Sequence, residues 1–100
     1  MKVRFAESAR ASIRYRHTWW RANRDKAPGL FIEELRDVVS KLRRDTDVAR
    51  QPYSGQGETS VWRLLMPKTR HHVYYTRDER ADIAHVVLVD SAIGDVGPDL

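Results

Sequence analysis

The residues best equipped for chemistry lie in one stretch, Val61 to Arg77, which reads VWRLLMPKTRHHVYYTR. It carries Arg63, Lys68, Arg70 and Arg77, with Tyr74 and Tyr75 between them. Positioned guanidinium groups can stabilise charge developing on a phosphoryl group, and a tyrosine or lysine can move a proton. The same set can bind an acidic protein surface without chemistry, because the guanidinium fork pairs with carboxylate as well as with phosphate. Both readings stay open from the residues alone. His71, His72 and His85 could meet on neighbouring strands, but no carboxylate cluster accompanies them, so neither a metal nor a cofactor is expected. Cysteine is absent, as are a glycine-rich phosphate loop and a helical pair of histidines four residues apart, so the common thiol and nucleotide motifs have no counterpart here.

These side chains need a scaffold. Val61–Met66 and Val73–Thr76 are rich in β-branched, aromatic and aliphatic residues, and Pro67 cannot donate to a ladder, so two strands should fold back at Pro67–Thr69. Alternation puts Trp62, Leu64 and Met66 on one face and Val61, Arg63 and Leu65 on the other, which sets Arg63 among apolar neighbours.

The 100 residues, 41% hydrophobic and 32% charged, predict one soluble globular domain with a modest core. No apolar run approaches the ~20 residues needed to cross a bilayer, and the N-terminus shows no secretory pattern, so a cytoplasmic protein is expected. The net charge of +4 is unevenly spread. Residues 1–50 hold 13 basic and 7 acidic side chains, a balance of +6, whereas residues 51–100 hold 5 and 7, a balance of −2. A solvated basic face and a surface for an anionic partner, nucleic acid or acidic protein, are both compatible with that asymmetry.

Lys2–Ala6 alternates and predicts a first strand. A helix should follow from Glu7, with Ser8 as a plausible cap and Ala9, Ile13 and Trp20 facing the core. Arg10, Arg14, Arg21 and Arg24 fall on an adjoining stripe, and Trp19 lies to one side, where it could close a sheet edge. The break at Lys26–Gly29 places Pro28 at the start of a second helix, with Phe31, Leu35, Val38, Val39 and Leu42 on its apolar face. The two helices should form an antiparallel hairpin. Asp45–Ser60 reads as an irregular connection. After the strand pair, a turn at Asp78–Arg80 precedes a last strand, Ile83–Val89, apolar enough to be covered on both faces. The order β-α-α-β-β-β predicts an α+β domain over residues 1–90, a mostly antiparallel sheet with the first strand beside the last, and a loop-like tail at 91–100.

This arrangement resembles the RelE/ParE superfamily of toxins from type II toxin–antitoxin (plasmid stabilisation) modules. The likeness is carried by VRFAESAR at Val3–Arg10 with Trp19–Trp20, APGLF at Ala27–Phe31, and above all RLLMPKTR at Arg63–Arg70 with HVYY at His72–Tyr75. The resemblance implies a small basic toxin neutralised by a cognate antitoxin in an oligomeric complex. Trp19, Arg63, Arg70 and Tyr74 are then expected to meet the antitoxin, and Arg63, Lys68, Arg70 and Arg77 the target. One branch, ParE-like, acts on a protein target described as DNA gyrase. The other, RelE-like, cleaves mRNA on the ribosome, and there Arg63, Arg70, Lys68 and Tyr75 would be the catalytic set. That branch carries a tyrosine, histidine or arginine after the last strand, where this chain has the acidic tail DSAIGDVGPDL, from Asp90 to Leu100. The ParE-like reading is therefore expected, with the RelE-like ribonuclease and a non-toxic antitoxin-binding member as alternatives.

Overall fold

Phe31, Leu35, Val38, Val39 and Leu42 recur at helical spacing, and all five are buried in one cluster. They belong to the second of two helices, and both helices cover a single face of the sheet. The computed structural model describes residues 1–45, 50–94 and 97–100. In chain order the elements are β1 (Lys2–Phe5), α1 (Glu7–Asn23), α2 (Leu30–Arg44), β2 (Gln51–Ser54), β3 (Val61–Met66), β4 (His71–Asp78) and β5 (Ile83–Ser91), with a short 3-10 turn at Gly57–Thr59. The sheet runs β1-β5-β4-β3-β2, with β1 parallel to β5 and every other pair antiparallel. The α+β class and the place of the first strand beside the last are as expected.

Several expectations need correction. The connection after α2 holds a strand: β2 pairs with β3 through a bulge between Pro52 and Ser54, and residues 46–49 of that segment lie outside the described residues. Proline is tolerated there because β2 is an edge strand. The helix α2 starts at Leu30 after Gly29, two residues beyond Pro28. The two helices form the expected hairpin, with α1 lying along β5 and α2 resting on β1 and β3. Finally, β5 is buried on one face only: Ala84, Val86 and Val89 are covered, and His85, Val87 and Leu88 are half-exposed.

Ser8 is not a cap. Ala6 holds that position, and Ser8 Oγ donates to the Val87 carbonyl at 2.6 Å. Val87 is the extra residue of a bulge, because Tyr74 pairs with Leu88 while Tyr75 pairs with Val86. One turn further along α1, Ser12 Oγ accepts the Val89 N–H at 3.0 Å. Backbone groups beside the bulge thus find partners on α1, which fixes the helix against β5.

The turn between β3 and β4 is gripped from α2. Glu34 is only 8% exposed, and its carboxylate accepts the N–H of Lys68 at 2.8 Å, the N–H of Thr69 at 2.9 Å and the Thr69 hydroxyl at 2.8 Å. Arg70, which leaves this turn, sits in the left-handed region at φ 60°, and is held there by its own N–H on Met66 O and by the Ala92 N–H on its carbonyl. Removing the carboxylate strands buried donors. Glu34→Ala should therefore lower the unfolding free energy by about 3 kcal/mol in urea denaturation, whereas Glu33→Ala, one exposed position earlier, should change it by less than about 0.5 kcal/mol.

Candidate functional site on the open face of the sheet

Strand alternation, corrected by the bulge, decides which side chains can work together. Trp62, Leu64 and Met66 of β3 point toward the helices, with Tyr75, Val73 and His71 as their cross-strand partners. Arg63 and Leu65 point to the open face, opposite Tyr74 and His72. Arg63 is thus not drawn toward the core. Its Nε donates to Gln51 Oε1 at 3.2 Å, and its guanidinium lies 5.3 Å from the centre of the Tyr53 ring.

Tyr53 and Tyr74 meet edge to face at 4.8 Å, and His72 meets Tyr74 at 5.8 Å. The result is an aromatic plate on the open face, with Arg63 at one side and Asp90, the cross-strand partner of His72, at the other. Burial and then the Arg63 charge hold the His72 imidazole below its usual pKa, and burial pushes the Tyr74 hydroxyl up. His72 is therefore a neutral base at neutral pH, and Tyr74 a neutral hydroxyl.

The tail returns to this plate. Tyr53 donates its hydroxyl hydrogen to the Pro98 carbonyl, and Ser54 Oγ donates to the Leu100 carbonyl at 2.7 Å. Gly97 lies so close to the Tyr53 ring that a Cβ would overlap it. Residues 95–96 of the acidic tail lie outside the described residues. Tyr74, although on the open face, is only 1% exposed beneath this cover.

The other sequence-predicted residues are dispersed. Lys68 and Arg70 are exposed at the β3–β4 turn. Arg77 lies seven residues along β4 from Arg70, roughly 23 Å away in an extended strand. Its side chain is only 14% exposed, and it pairs with Asp45 at 3.1 Å and with Glu79 at 3.7 Å. Arg77 therefore ties the C-terminal end of α2 to β4. Tyr75 is wholly buried on the helix side, where desolvation raises its hydroxyl pKa. Trp19 does not close a sheet edge; it packs partly against the core, with the Arg16 and Arg24 guanidiniums each 5.3 Å from its ring centre. The three strand histidines diverge, and no group of three or more metal-ligating side chains converges among the described residues.

A second polar centre escaped the sequence reading. His71 is 1% exposed, wedged under Phe31 at 4.8 Å and Trp20 at 6.2 Å. Thr69 spends its hydroxyl hydrogen on Glu34, so at 3.0 Å its oxygen accepts from His71 Nδ1–H. That leaves Nε2 free to accept Nε–H of Arg16 at 3.0 Å. The imidazole is neutral, its pKa lowered to about 4 by burial and then by the Arg16 charge, against weaker opposing pulls from Asp90 and Glu34. One signal could have exposed this chain: Glu34 lies three residues after Phe31 and four before Val38, within the apolar stripe of α2.

No family model matches the chain, and no curated protein sequence does. Among solved structures, a chain of the archaeal RelE–RelB complex from Pyrococcus horikoshii OT3 matches it with a TM-score of 0.55 and 9% identity, over 92% of this chain and 94% of that one. The fold is RelE-like. At that identity the match carries the architecture and not the role of any side chain. No helix among the described residues is long and apolar enough to cross a membrane.

A histidine whose pKa falls from 6.5 to about 4 on folding favours the folded state fully above pH 6.5. That contribution is lost as pH drops from 6.5 toward 4, because the unfolded chain binds the proton first. Wild type should therefore lose on the order of 3 kcal/mol more stability than His71→Gln between pH 7 and pH 4, read by urea unfolding at each pH.

Proposed function

We propose that this chain is the toxin of a toxin–antitoxin pair, which arrests growth by binding a protein target and is neutralised by a cognate antitoxin. The RelE-like fold supports the coarse reading, the matching structure being a complex of RelE with RelB. DNA gyrase is the target that the ParE-like branch implies, and the site of action is then the cytoplasm. Arg63, Lys68 and Arg70 are the target-binding candidates, since all three reach solvent and Arg77 is held in ion pairs. Arg63 and Trp19 remain candidates for antitoxin contact, while Tyr74 supports that surface from beneath.

The observation that carries the protein-binding reading is Asp90. It stands opposite His72, at the end of β5 where a nuclease would need a cation or a proton donor. A carboxylate there repels the phosphates of an RNA strand brought to Arg63. One arrangement favours the ribonuclease instead: Arg63, a neutral His72 and Tyr74 share the open face, as an acid–base set beside an anion site would.

Induced expression in bacteria, with DNA and protein synthesis followed separately by labelled precursors, distinguishes the two. The expected result is an early halt in DNA synthesis with filamentation. An early halt in translation with cut mRNA would assign the ribonuclease, and no effect on either would assign a non-toxic antitoxin-binding member. Arg63→Glu and Arg70→Glu should each relieve the arrest while leaving thermal unfolding within a few degrees of wild type, since Arg70 is exposed and Arg63 lies on the open face outside the core. Full toxicity in both variants would remove these arginines from the site.

A further inference from the structure

Beyond β5 the tail has a fixed root and a fixed far end. At the root, the Ala92 N–H is donated to the Arg70 carbonyl, and the Ile93 N–H to Ser91 Oγ at 3.2 Å. Gly94 then takes φ 107°, a conformation that residues with a side chain avoid, so the chain can turn sharply there. The far end rests on β2, three strand spacings or roughly 14 Å across the sheet from β5. It is latched by Tyr53 and Ser54, whose hydroxyls donate to the carbonyls of Pro98 and Leu100, and by the close approach of Gly97 to the Tyr53 ring.

We infer that residues 97–100 form a displaceable strap, an autoinhibitory contact that closes the aromatic plate and Arg63 to a partner. The inference rests on the reading of Arg63 as a target-binding residue. The strap hides what a partner would touch, since Tyr74 stands opposite Arg63 on the open face and is nevertheless almost wholly buried. It is lightly held. Ile93 and Leu100, the large apolar side chains at the two ends of the tail, stay exposed, so the tail adds little to the core. A tail that served stability alone would bury them. Nor does the strap neutralise the cation it covers: Arg63 spends its Nε on Gln51 and makes no ion pair among the described residues. A partner that brings a carboxylate to Arg63 gains a charge-assisted hydrogen bond that the strap does not supply, and this gain can displace it. Closure then sets a threshold for binding. A strap shut about 90% of the time weakens apparent affinity about tenfold.

Three tyrosines report the position of the strap without reference to growth arrest. Tyr15 is exposed on α1, Tyr75 is buried in the core, and Tyr74 lies beneath the strap. Hydroxyl-radical labelling of the full chain, read residue by residue in tandem mass spectrometry, should modify Tyr15 and spare Tyr74 and Tyr75. Gly97→Val drives a branched side chain into Tyr53 and should lift the strap. Labelling of Tyr74 should then rise about tenfold, with Tyr15 and Tyr75 unchanged and the thermal midpoint within a few degrees of wild type. Tyr53→Phe combined with Ser54→Ala removes both latch bonds and should expose Tyr74 in the same way. The inference is overturned if Tyr74 stays protected in both variants, or if Tyr75 becomes labelled along with it, which would make the strap part of the core. In induced expression, Gly97→Val should arrest growth at about a tenth of the inducer that wild type needs. Equal potency with Tyr74 exposed overturns the inhibitory role. If neither protein arrests growth, the toxin reading fails, and the labelling still decides whether the strap opens.

Discussion

The architecture turns on one buried carboxylate. Glu34 would be an expensive residue to place on the apolar stripe of α2 were it left alone, since a charge taken out of water needs several partners to hold it. It finds them in the backbone of the β3–β4 turn, across 34 and 35 residues of sequence. The interaction works in both directions: the turn presents otherwise unpaired N–H groups, and the carboxylate requires donors. The Thr69 hydroxyl extends the link to His71, and His71 extends it to Arg16, so one polar chain runs from α2 by way of the β3–β4 turn to α1. Glu34 Oε1 takes both the N–H and the hydroxyl of Thr69, and each nitrogen of the His71 ring has one partner. That fixes the tautomer of the imidazole and keeps it uncharged beneath Phe31 and Trp20.

The exposed cations of the β3–β4 turn owe their placement to this polar network. Lys68 and Arg70 flank Thr69, so whatever immobilises Thr69 sets the direction in which both cations leave the turn. The left-handed backbone at Arg70 makes the same point from another side: a β-carbon is tolerated at φ 60° because hydrogen bonds on either side hold the backbone. At the far end of β4, Arg77 plays the reciprocal part, anchored to Asp45 just past the end of α2. The hairpin is thus attached to α2 at both ends by charged contacts, with the apolar core between them.

Much of this was legible in the sequence where a local rule and the tertiary context agree. The apolar spacing of Phe31 to Leu42, the breaker at Lys26–Gly29 and the alternation of Val61 to Met66 each specify one element with little dependence on distant residues. What could not be read was set by partners far along the chain. The strand β2 has a proline and two polar residues among its four, and becomes a strand only because β3 offers it an edge. Ser8 looks like a cap, but the helix already starts at Glu7, and its hydroxyl donates instead to the Val87 carbonyl at the bulge. Glu34 and Lys41 look equally suited to the helix dipole, yet one is buried and one is not. The site residues fared similarly: period-two alternation placed Arg63 on the face opposite Leu64, but not the aromatic cover that makes that face a plate.

The distribution of arginine follows from the same division of labour. On the open face, Arg63 lies against an aromatic ring and an amide, and the acidic tail returns over the plate beside it. The helical face has no such cover: Arg10, Arg36 and Arg43 are exposed and have no ion-pair partner among the described residues. Eight of the 13 basic side chains in residues 1–50 lie on α1 and α2, so the basic half of the chain is largely the helical layer, opposite the open face that carries Arg63.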